Sequence, residues 1–382
     1  MVKQLVSVFV CLAFAAPAAD EKVAKMTLEQ ARAQLPQRTL PDFWVGDVKG
    51  LEQRFAGLKR GRVKTIATTP GGRPVHLVTY GPRERVAGAA NFNSAVGARE
   101  PLAYMDKAAR TRPVVYIVGP VHGQEVEALT GLVSFIAVME TGRDLRGREH
   151  PELRSLADRC RVLIVPAGNP DGIARYEPRA SQGLSRGAAS FWSMGTWKDD
   201  TIAYWPQSKR MHPRTPENSA YIGAYFNDAG INPMHDEFFA PMSTEAPAIL
   251  RVARDEGPDL ATSLHSYSAA PGILRPAYMP LEVQEQVREL AIQYYALLDK
   301  RALPHAKPFT SQAEKGKNPA PFNLTSALYH ISGAATFTFE CPHGHTHPKA
   351  CRVTFDQILD IELTLYESMF RYALDRKTRR GK

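Results

Sequence analysis

An unbroken run of β-forming apolar residues, Pro-Val-Val-Tyr-Ile-Val at 113–118, constrains the fold of this chain more than any other feature. Such a run predicts a central strand that is buried on both faces of a sheet. Residues 160–166 predict a second buried strand, 260–264 a third and 336–340 a fourth. Helical segments at 129–139 and 355–374 alternate with these strands. The pattern therefore predicts an α/β fold with helices on both faces of the sheet.

The segments before the first buried strand are shorter. Residues 27–35 and 51–58 predict two helices, the first with Thr27 as a capping residue. Two strands are predicted at 62–67 and 74–80, around the turn-forming cluster Thr69-Pro70-Gly71-Gly72.

The long segment 181–241 is rich in aromatic residues, Pro and Gly. We interpret it as loops over a functional site rather than as a second domain.

The first eighteen residues are predicted to be a secretory signal peptide. Lys3 is followed by a run of apolar and small residues at 5–16, and Ala16-Pro17-Ala18 is typical of a cleavage site. We expect an N-terminal helical segment at 19–60 and one catalytic domain at 61–382. The protein is then predicted to be secreted or periplasmic. No other stretch reaches about 18 consecutive apolar residues, so no transmembrane segment is predicted.

Charge and cysteine content exclude some function classes. The formal net charge is +9, but no nucleic-acid-binding motif accompanies it, so nucleic acid is not an expected partner. Of the four cysteines, Cys11 lies in the predicted signal peptide, and Cys160, Cys341 and Cys351 lie beyond it. At least one of these three would be unpaired in an exported protein, and Cys341 with Cys351 could close a small loop. A thiolate zinc site is not predicted, because the chain has no Cys-x-x-Cys pair.

The residues after the first buried strand could bind a metal. His122-Gly123-Gln124-Glu125 follows that strand directly, and the spacing of three places His122 and Glu125 on one face of a helix start. An imidazole and a carboxylate in this arrangement suit zinc, although a solvated helix start is an equal alternative for the motif alone.

Two further residues stand at predicted strand ends. His265 follows the strand at 260–264 and is the best candidate for a third ligand; a lone histidine there could also be structural. Glu340 ends the strand at 336–340. A carboxylate in that position requires a partner or a function. It could take a proton from a water molecule as general base, or it could pair with an arginine.

Four segments together resemble the zinc carboxypeptidases of the carboxypeptidase A-like family. They occur in the family's order and spacing, and the similarity extends from about residue 62 to the final helix. These segments are His122-Gly-Gln-Glu125, Asn169-Pro-Asp-Gly172, Leu264-His-Ser-Tyr-Ser268 and Phe337-Thr-Phe-Glu340.

The resemblance implies a single domain with a mixed, roughly eight-stranded sheet. It also implies one Zn²⁺ per chain with His122, Glu125 and His265 as ligands, and Glu340 as general base. In the family an arginine polarises the scissile carbonyl. Arg179 resembles that residue in its position along this chain, and Arg186 is the second candidate.

The chain departs from the family where a substrate carboxylate would bind. The family uses an Asn-Arg pair there, but the similar segment 230–236 has Met234 and His235 instead. A methionine cannot donate a hydrogen bond, and a histidine is only partly charged near neutral pH. We expect His235, Arg275 and Tyr267 to contact the substrate, with Arg275 as the replacement cation.

Three functions are compatible with these sequence motifs. The first is a metallocarboxypeptidase-like hydrolase that acts on peptides. The second is a zinc amidohydrolase, deacylase or cell-wall peptide hydrolase on the same scaffold, with an acylated small molecule or a cell-wall-type peptide as substrate. The third is a binding protein with a vestigial site. A monomer is expected in each case.

A second cluster of histidines, His343-Gly-His345-Thr-His347, is compatible with a further metal site, a pocket rim or an ordinary loop.

Overall fold

The computed structural model describes residues 24–310, 321–344 and 350–380. The predicted signal peptide at 1–18 and the residues His345 and His347 lie outside the described residues.

Seven strands form one mixed sheet in the order β1-β2-β4-β3-β7-β9-β8. The central strands β4, β3, β7 and β9 are parallel to one another, while β1–β2 and β8 add antiparallel edges. Their bounds are β1 Arg62–Thr68, β2 Pro74–Tyr80, β3 Val114–Val118, β4 Arg161–Val165, β7 Leu260–Tyr267, β8 Gly272–Ile273 and β9 Ala335–Pro342.

The prediction of a mixed α/β sheet is confirmed, with seven strands in the described residues rather than roughly eight. Two further short strands, β5 (Gly195–Thr196) and β6 (Tyr221–Ile222), form a separate two-stranded ribbon. They belong to the segment 181–241, which is otherwise largely irregular. They do not extend the seven-stranded sheet.

Eleven α-helices occur in the described part of the chain. Their bounds are α1 Leu28–Ala33, α2 Val48–Phe55, α3 Phe92–Gly97, α4 Val126–Thr141, α5 Pro151–Asp158, α6 Pro170–Arg175, α7 Arg186–Met194, α8 Glu245–Glu256, α9 Leu281–Lys300, α10 Leu324–Ser332 and α11 Phe355–Arg380. As expected, Thr27 caps α1, and its side chain accepts a hydrogen bond from the backbone N–H of Gln30. None of the helices among these residues is both long and apolar enough to cross a membrane.

Alternate side chains of β3 pack into two separate cores. Val115 and Ile117 join the apolar cluster on the face covered by α4, α9 and α11. Tyr116 and its neighbours on the opposite face join the cluster with α8 and α10. Every residue of β3 is buried, which is why the sequence of this strand lacks polar residues.

The parallel register brings the chemically interesting residues to one edge of the sheet. In β7 and β9, His265 lies directly opposite Glu340. The segment that contains His122 begins where β3 ends, and β3 is the other neighbour of β7. Because the carboxyl ends of parallel strands meet at the same edge, these residues of distant sequence position become neighbours.

The three cysteines within the described ranges form no bridge. Cys160, Cys341 and Cys351 are all free thiols, so the loop that Cys341 and Cys351 could close is not covalently closed here.

Candidate metal and catalytic site

Three buried side chains converge at the carboxyl edge of the sheet. His265 Nδ1 lies 2.9 Å from Glu125 Oε2 and 3.2 Å from His122 Nδ1. His122 Nδ1 is in turn 3.0 Å from Glu125 Oε1. All three ligand atoms are within 4.8 Å of one another, and no other group of three or more His, Cys, Asp or Glu residues in the described chain is arranged to hold a metal ion.

This donor set fits a divalent cation. Burial lowers the pKa of both imidazoles, that of His265 to about 4, so each ring is neutral and carries a lone pair. Two ring nitrogens and a carboxylate therefore face one another, and these are donor atoms that bind zinc in proteins. Ligands in a tetrahedral zinc site are roughly 3.3 Å apart, given metal–ligand distances of about 2.0–2.1 Å. The three separations observed here are close to that value.

Both imidazole rings are held in place by neighbours. Ser263 Oγ lies 3.0 Å from His265 Nε2, which directs the Nδ1 edge of the ring toward Glu125. The ring of His122 stacks on Tyr225, with ring centroids 3.8 Å apart and an interplanar angle of 13°. Partners of this kind fix the orientation of metal-binding histidines.

The loop that carries His122 and Glu125 packs against the Asn-Pro-Asp-Gly motif through glycine backbones. A Cβ atom on Gly123 would lie 2.0 Å from the carbonyl carbon of Gly172. The backbone N–H of Gly123 donates to the Ala224 carbonyl at 2.7 Å, and Asn169 Oδ1 accepts from the Gly172 N–H at 2.9 Å. No residue with a side chain fits at position 123 without a shift of the loop.

Asp171 of the same motif ties three segments together. Its Oδ1 accepts from Thr69 Oγ1 at 2.6 Å and from Arg73 Nη1 at 2.8 Å. Its Oδ2 accepts from the backbone N–H groups of Gly71 at 3.0 Å and Asp228 at 3.1 Å. Burial alone would raise the pKa of Asp171, but these hydrogen bonds hold it below the ordinary value. The motif thus has a structural function beneath the site.

Glu340 faces the metal-binding set from the next strand. Burial is the largest cause that raises its pKa, to about 8, and the charge of Glu125 acts in the same direction. The charges of His265 and Lys209 act in the opposite direction. A carboxyl group with such a pKa exchanges protons near neutral pH.

A lysine that the sequence did not point to also reaches the site. Lys209 Nζ lies 2.9 Å from His235 Nε2. The charge of Lys209 acts on Glu340, Glu125 and His265. His235 therefore lies beside a cation that acts on the site, and its predicted contact with the substrate stays a prediction.

The structure gives each of the other three predicted site residues, Arg179, Arg275 and Tyr267, a different environment. The side chain of Arg179 is 60% exposed and forms an ion pair with Asp47 at 3.2 Å. Arg275 follows β8, whose antiparallel pairing with β9 leads the chain away from the edge that carries Glu340. Tyr267 ends β7, and its hydroxyl donates to the Ala270 carbonyl at 2.6 Å. The roles of all three stay predictions.

His343 is buried beside a second carboxylate. Its Nδ1 is 3.4 Å from Glu127 Oε2, and its backbone N–H donates to the Tyr267 carbonyl at 2.8 Å. These contacts favour a packed wall next to the site for this member of the histidine cluster.

Three residues of the site were missed by the sequence analysis: Ser263, Tyr225 and Lys209. Ser263 could have been found, because residues two apart in a strand point to the same face. Tyr225 and Lys209 come from the irregular segment 181–241, whose sequence carries no periodic signal.

Comparison with known proteins gives a family match. The model of the family described as zinc carboxypeptidase matches residues 55–340. No curated protein sequence matches the chain.

Several solved structures are similar in fold. A metallo-carboxypeptidase from Burkholderia cenocepacia is 14% identical, with a TM-score of 0.51, over 86% of this chain and 69% of that one. The carboxypeptidase A from Helicoverpa armigera is 12% identical, with a TM-score of 0.49, over 92% of this chain and 80% of that one. At these identities the first similarity supports the fold alone, and the second adds no argument.

Proposed function

Because the chain belongs to the zinc carboxypeptidase family, we propose that it is an exported zinc-dependent hydrolase that cleaves peptide bonds. The observation that carries this proposal is the convergence of His122, Glu125 and His265 with Glu340 in register on the adjacent strand. A metal-binding set and a proton acceptor at one edge of the sheet are the two parts that metal-assisted hydrolysis requires.

One zinc ion per chain would be held by His122, Glu125 and His265. When bound, zinc supplies Lewis-acid polarisation of a carbonyl and lowers the pKa of water. The neutral imidazoles are already in the form that binds a metal, and Ser263 holds the His265 ring in the required orientation. Binding the cation also favours the charged form of Glu125, whose pKa burial otherwise raises.

Glu340 is proposed as the general base. Its carboxylate would take a proton from the attacking water and then donate it to the leaving amine. Its place opposite His265 on β9 puts it next to the metal-binding set, and its raised pKa suits both directions of transfer. Arg179 is retained as the proposed electrophilic partner, and Tyr267 and His235 as substrate contacts.

Export and domain organisation complete the proposal. We assign 1–18 to a signal peptide, 19–60 to an N-terminal helical segment and 61–382 to the catalytic domain, in a monomer that is secreted or periplasmic. The N-terminal segment packs onto the catalytic domain: the backbone N–H of Val45 donates to Thr130 Oγ1 at 3.1 Å. Ion pairing of Arg32 with Glu177 adds a second contact.

A second candidate function has an observation in its favour. Met234 and His235 stand where the resemblance implies an Asn-Arg pair, so a bidentate partner for a substrate carboxylate is absent from that segment. A zinc amidohydrolase, deacylase or cell-wall peptide hydrolase would not need that partner.

The test combines metal content with activity. Purified protein should contain one zinc per chain and hydrolyse N-acylated dipeptides, and a chelator should abolish the activity. The double variant His122→Ala, His265→Ala should lose the metal. Full zinc retention in that variant would refute the ligand set. Metal-dependent release of acyl groups without any peptide cleavage would favour the amidohydrolase.

A further inference from the structure

Lys209 is placed at the site by a short 3₁₀ helix, Gln207–Arg210, within the irregular segment. Its Nζ is 2.9 Å from His235 Nε2 and lies over the ring of Trp205, 5.0 Å from the ring centroid. Trp205 is 41% exposed, so this group of side chains borders solvent. The ammonium therefore contacts an imidazole and lies over an indole ring.

The contact with His235 orients the ammonium. Burial, followed by the charge of Lys209, lowers the pKa of His235 to about 3, so the imidazole is neutral. A neutral imidazole accepts a hydrogen bond at its unprotonated nitrogen, and the ammonium is the donor. His235 is thus an acceptor that fixes the position of a cation, rather than the cation itself.

Lys209 has capacity for a further ligand. An ammonium offers three donors, and His235 accepts one of them. Among the ion pairs of the described residues, none joins Lys209 to a carboxylate. Burial lowers its pKa to about 8, against the opposing charges of Glu125 and Glu340. A partly desolvated cation without a paired anion is costly, and an anionic ligand would offset that cost.

We propose that Lys209, positioned by His235, binds a carboxylate of the substrate and so replaces the arginine that the segment 230–236 lacks. The assignment rests on the proposed peptidase function and names the residue of this chain that would bind a free carboxylate near the scissile bond. It displaces Arg275 from that role. An ammonium makes a single point-charge contact, whereas a guanidinium makes two parallel bonds, so orientation of the carboxylate is less strictly defined.

The experiment compares matched peptides with a free and an amidated C-terminus. The wild-type protein should prefer the free acid. Lys209→Met should lower kcat/KM for the free acid about 10- to 150-fold, which is the equivalent of a charge-assisted hydrogen bond of ~1.5–3 kcal/mol. Because the charge of Lys209 also acts on Glu340, the same variant should change kcat/KM for the amide too, but by a much smaller factor than for the free acid. Lys209→Gln is a second neutral variant and is closer to lysine in polarity. It can be measured in the same way if Lys209→Met does not fold.

Two control variants separate the local charge from general effects. Arg210→Met removes an exposed charge from the same 3₁₀ helix and should behave as wild type. Arg275→Met should retain the preference for the free acid. The proposal is overturned if both Lys209 variants keep the wild-type preference, or if they lose activity equally on the acid and the amide.

Calorimetric binding distinguishes failure of this proposal from failure of the proposed function. If the wild-type protein cleaves neither peptide, an N-acetylated amino acid and its amide are titrated into zinc-loaded protein. Binding of the acid alone, lost in Lys209→Met, would sustain the carboxylate site without peptidase activity. Equal binding by the wild type and Lys209→Met, or no binding to the wild type, would overturn it.

Discussion

Replacement of Asp171 by asparagine tests how the site is held in place. The carboxylate is fully buried and accepts four hydrogen bonds, two at each oxygen. An asparagine keeps one of the two oxygens. In place of the other oxygen it has an NH₂ group, which would face the two donors that this oxygen accepted from. The least costly arrangement places the NH₂ next to Thr69, whose hydroxyl can accept, but there it faces the Arg73 guanidinium.

The expected loss follows from these contacts. Hydrogen bonds to charged groups contribute about 1.5–3 kcal/mol each, and breaking a buried ion pair by removal of one partner costs about 3–5 kcal/mol. We therefore expect Asp171→Asn to lower the free energy of unfolding by about 3–5 kcal/mol at pH 7. Asp228→Asn is the matched control, because Asp228 also pairs with Arg73 but is 35% exposed. Its expected cost is about 0–1 kcal/mol.

The pH dependence gives an independent check. The pKa of Asp171 is lowered in the folded protein, so its stabilisation is complete above the ordinary aspartate pKa of about 3.9. It is lost as the pH falls through the lower folded-state pKa. Urea unfolding from pH 7 to pH 5 should thus show a constant difference between the wild type and Asp171→Asn, which shrinks in stronger acid. A cost within about 1 kcal/mol of that of Asp228→Asn would refute the reasoning.

Three further substitutions address the site directly. Glu340→Gln should retain zinc and lose about 10²–10⁴-fold in kcat, since an amide cannot accept the proton; near-normal turnover would assign the base to another residue. Ser263→Ala should weaken zinc binding about 10- to 100-fold in a chelator competition, because the His265 ring loses its orienting partner; unchanged affinity would contradict that role. Gly123→Ala should reduce both thermal stability and zinc affinity, because its Cβ would meet the Gly172 backbone at 2.0 Å, and a variant with wild-type values for both would show that the loop adapts freely.

Much of the fold could be predicted because its signals are local. The β3 run is apolar throughout because both of its faces are covered, and burial of that kind is visible in five consecutive residues. The turn at 69–72 and the Thr27 cap are likewise encoded by residues in contact along the chain. His122 and Glu125 follow β3, and His265 and Glu340 lie near the carboxyl ends of β7 and β9, so the parallel order of the strands is enough to bring them together.

The number of strands in the main sheet and the residues around the proposed zinc ligands could not be predicted from the sequence. Both depend on the tertiary structure. Two short strands, Gly195–Thr196 and Tyr221–Ile222, form a ribbon apart from the main sheet. Their own residues do not specify which strand each of them pairs with. The function of Asp171 as a tie between three segments could not be read from its motif, because its donors are distant in sequence.

The positively charged residue at the site likewise could be identified only in part from the sequence. The sequence indicated that a cation was missing from the segment with Met234 and His235, and it suggested Arg275 as the replacement. Only the fold placed Lys209 against His235, 26 residues away in an irregular segment. Strands and helices repeat along the chain and so reveal the faces that they bury, whereas an irregular segment takes its path from the surface on which it packs. Its side chains can therefore be assigned to a site only when that surface is known.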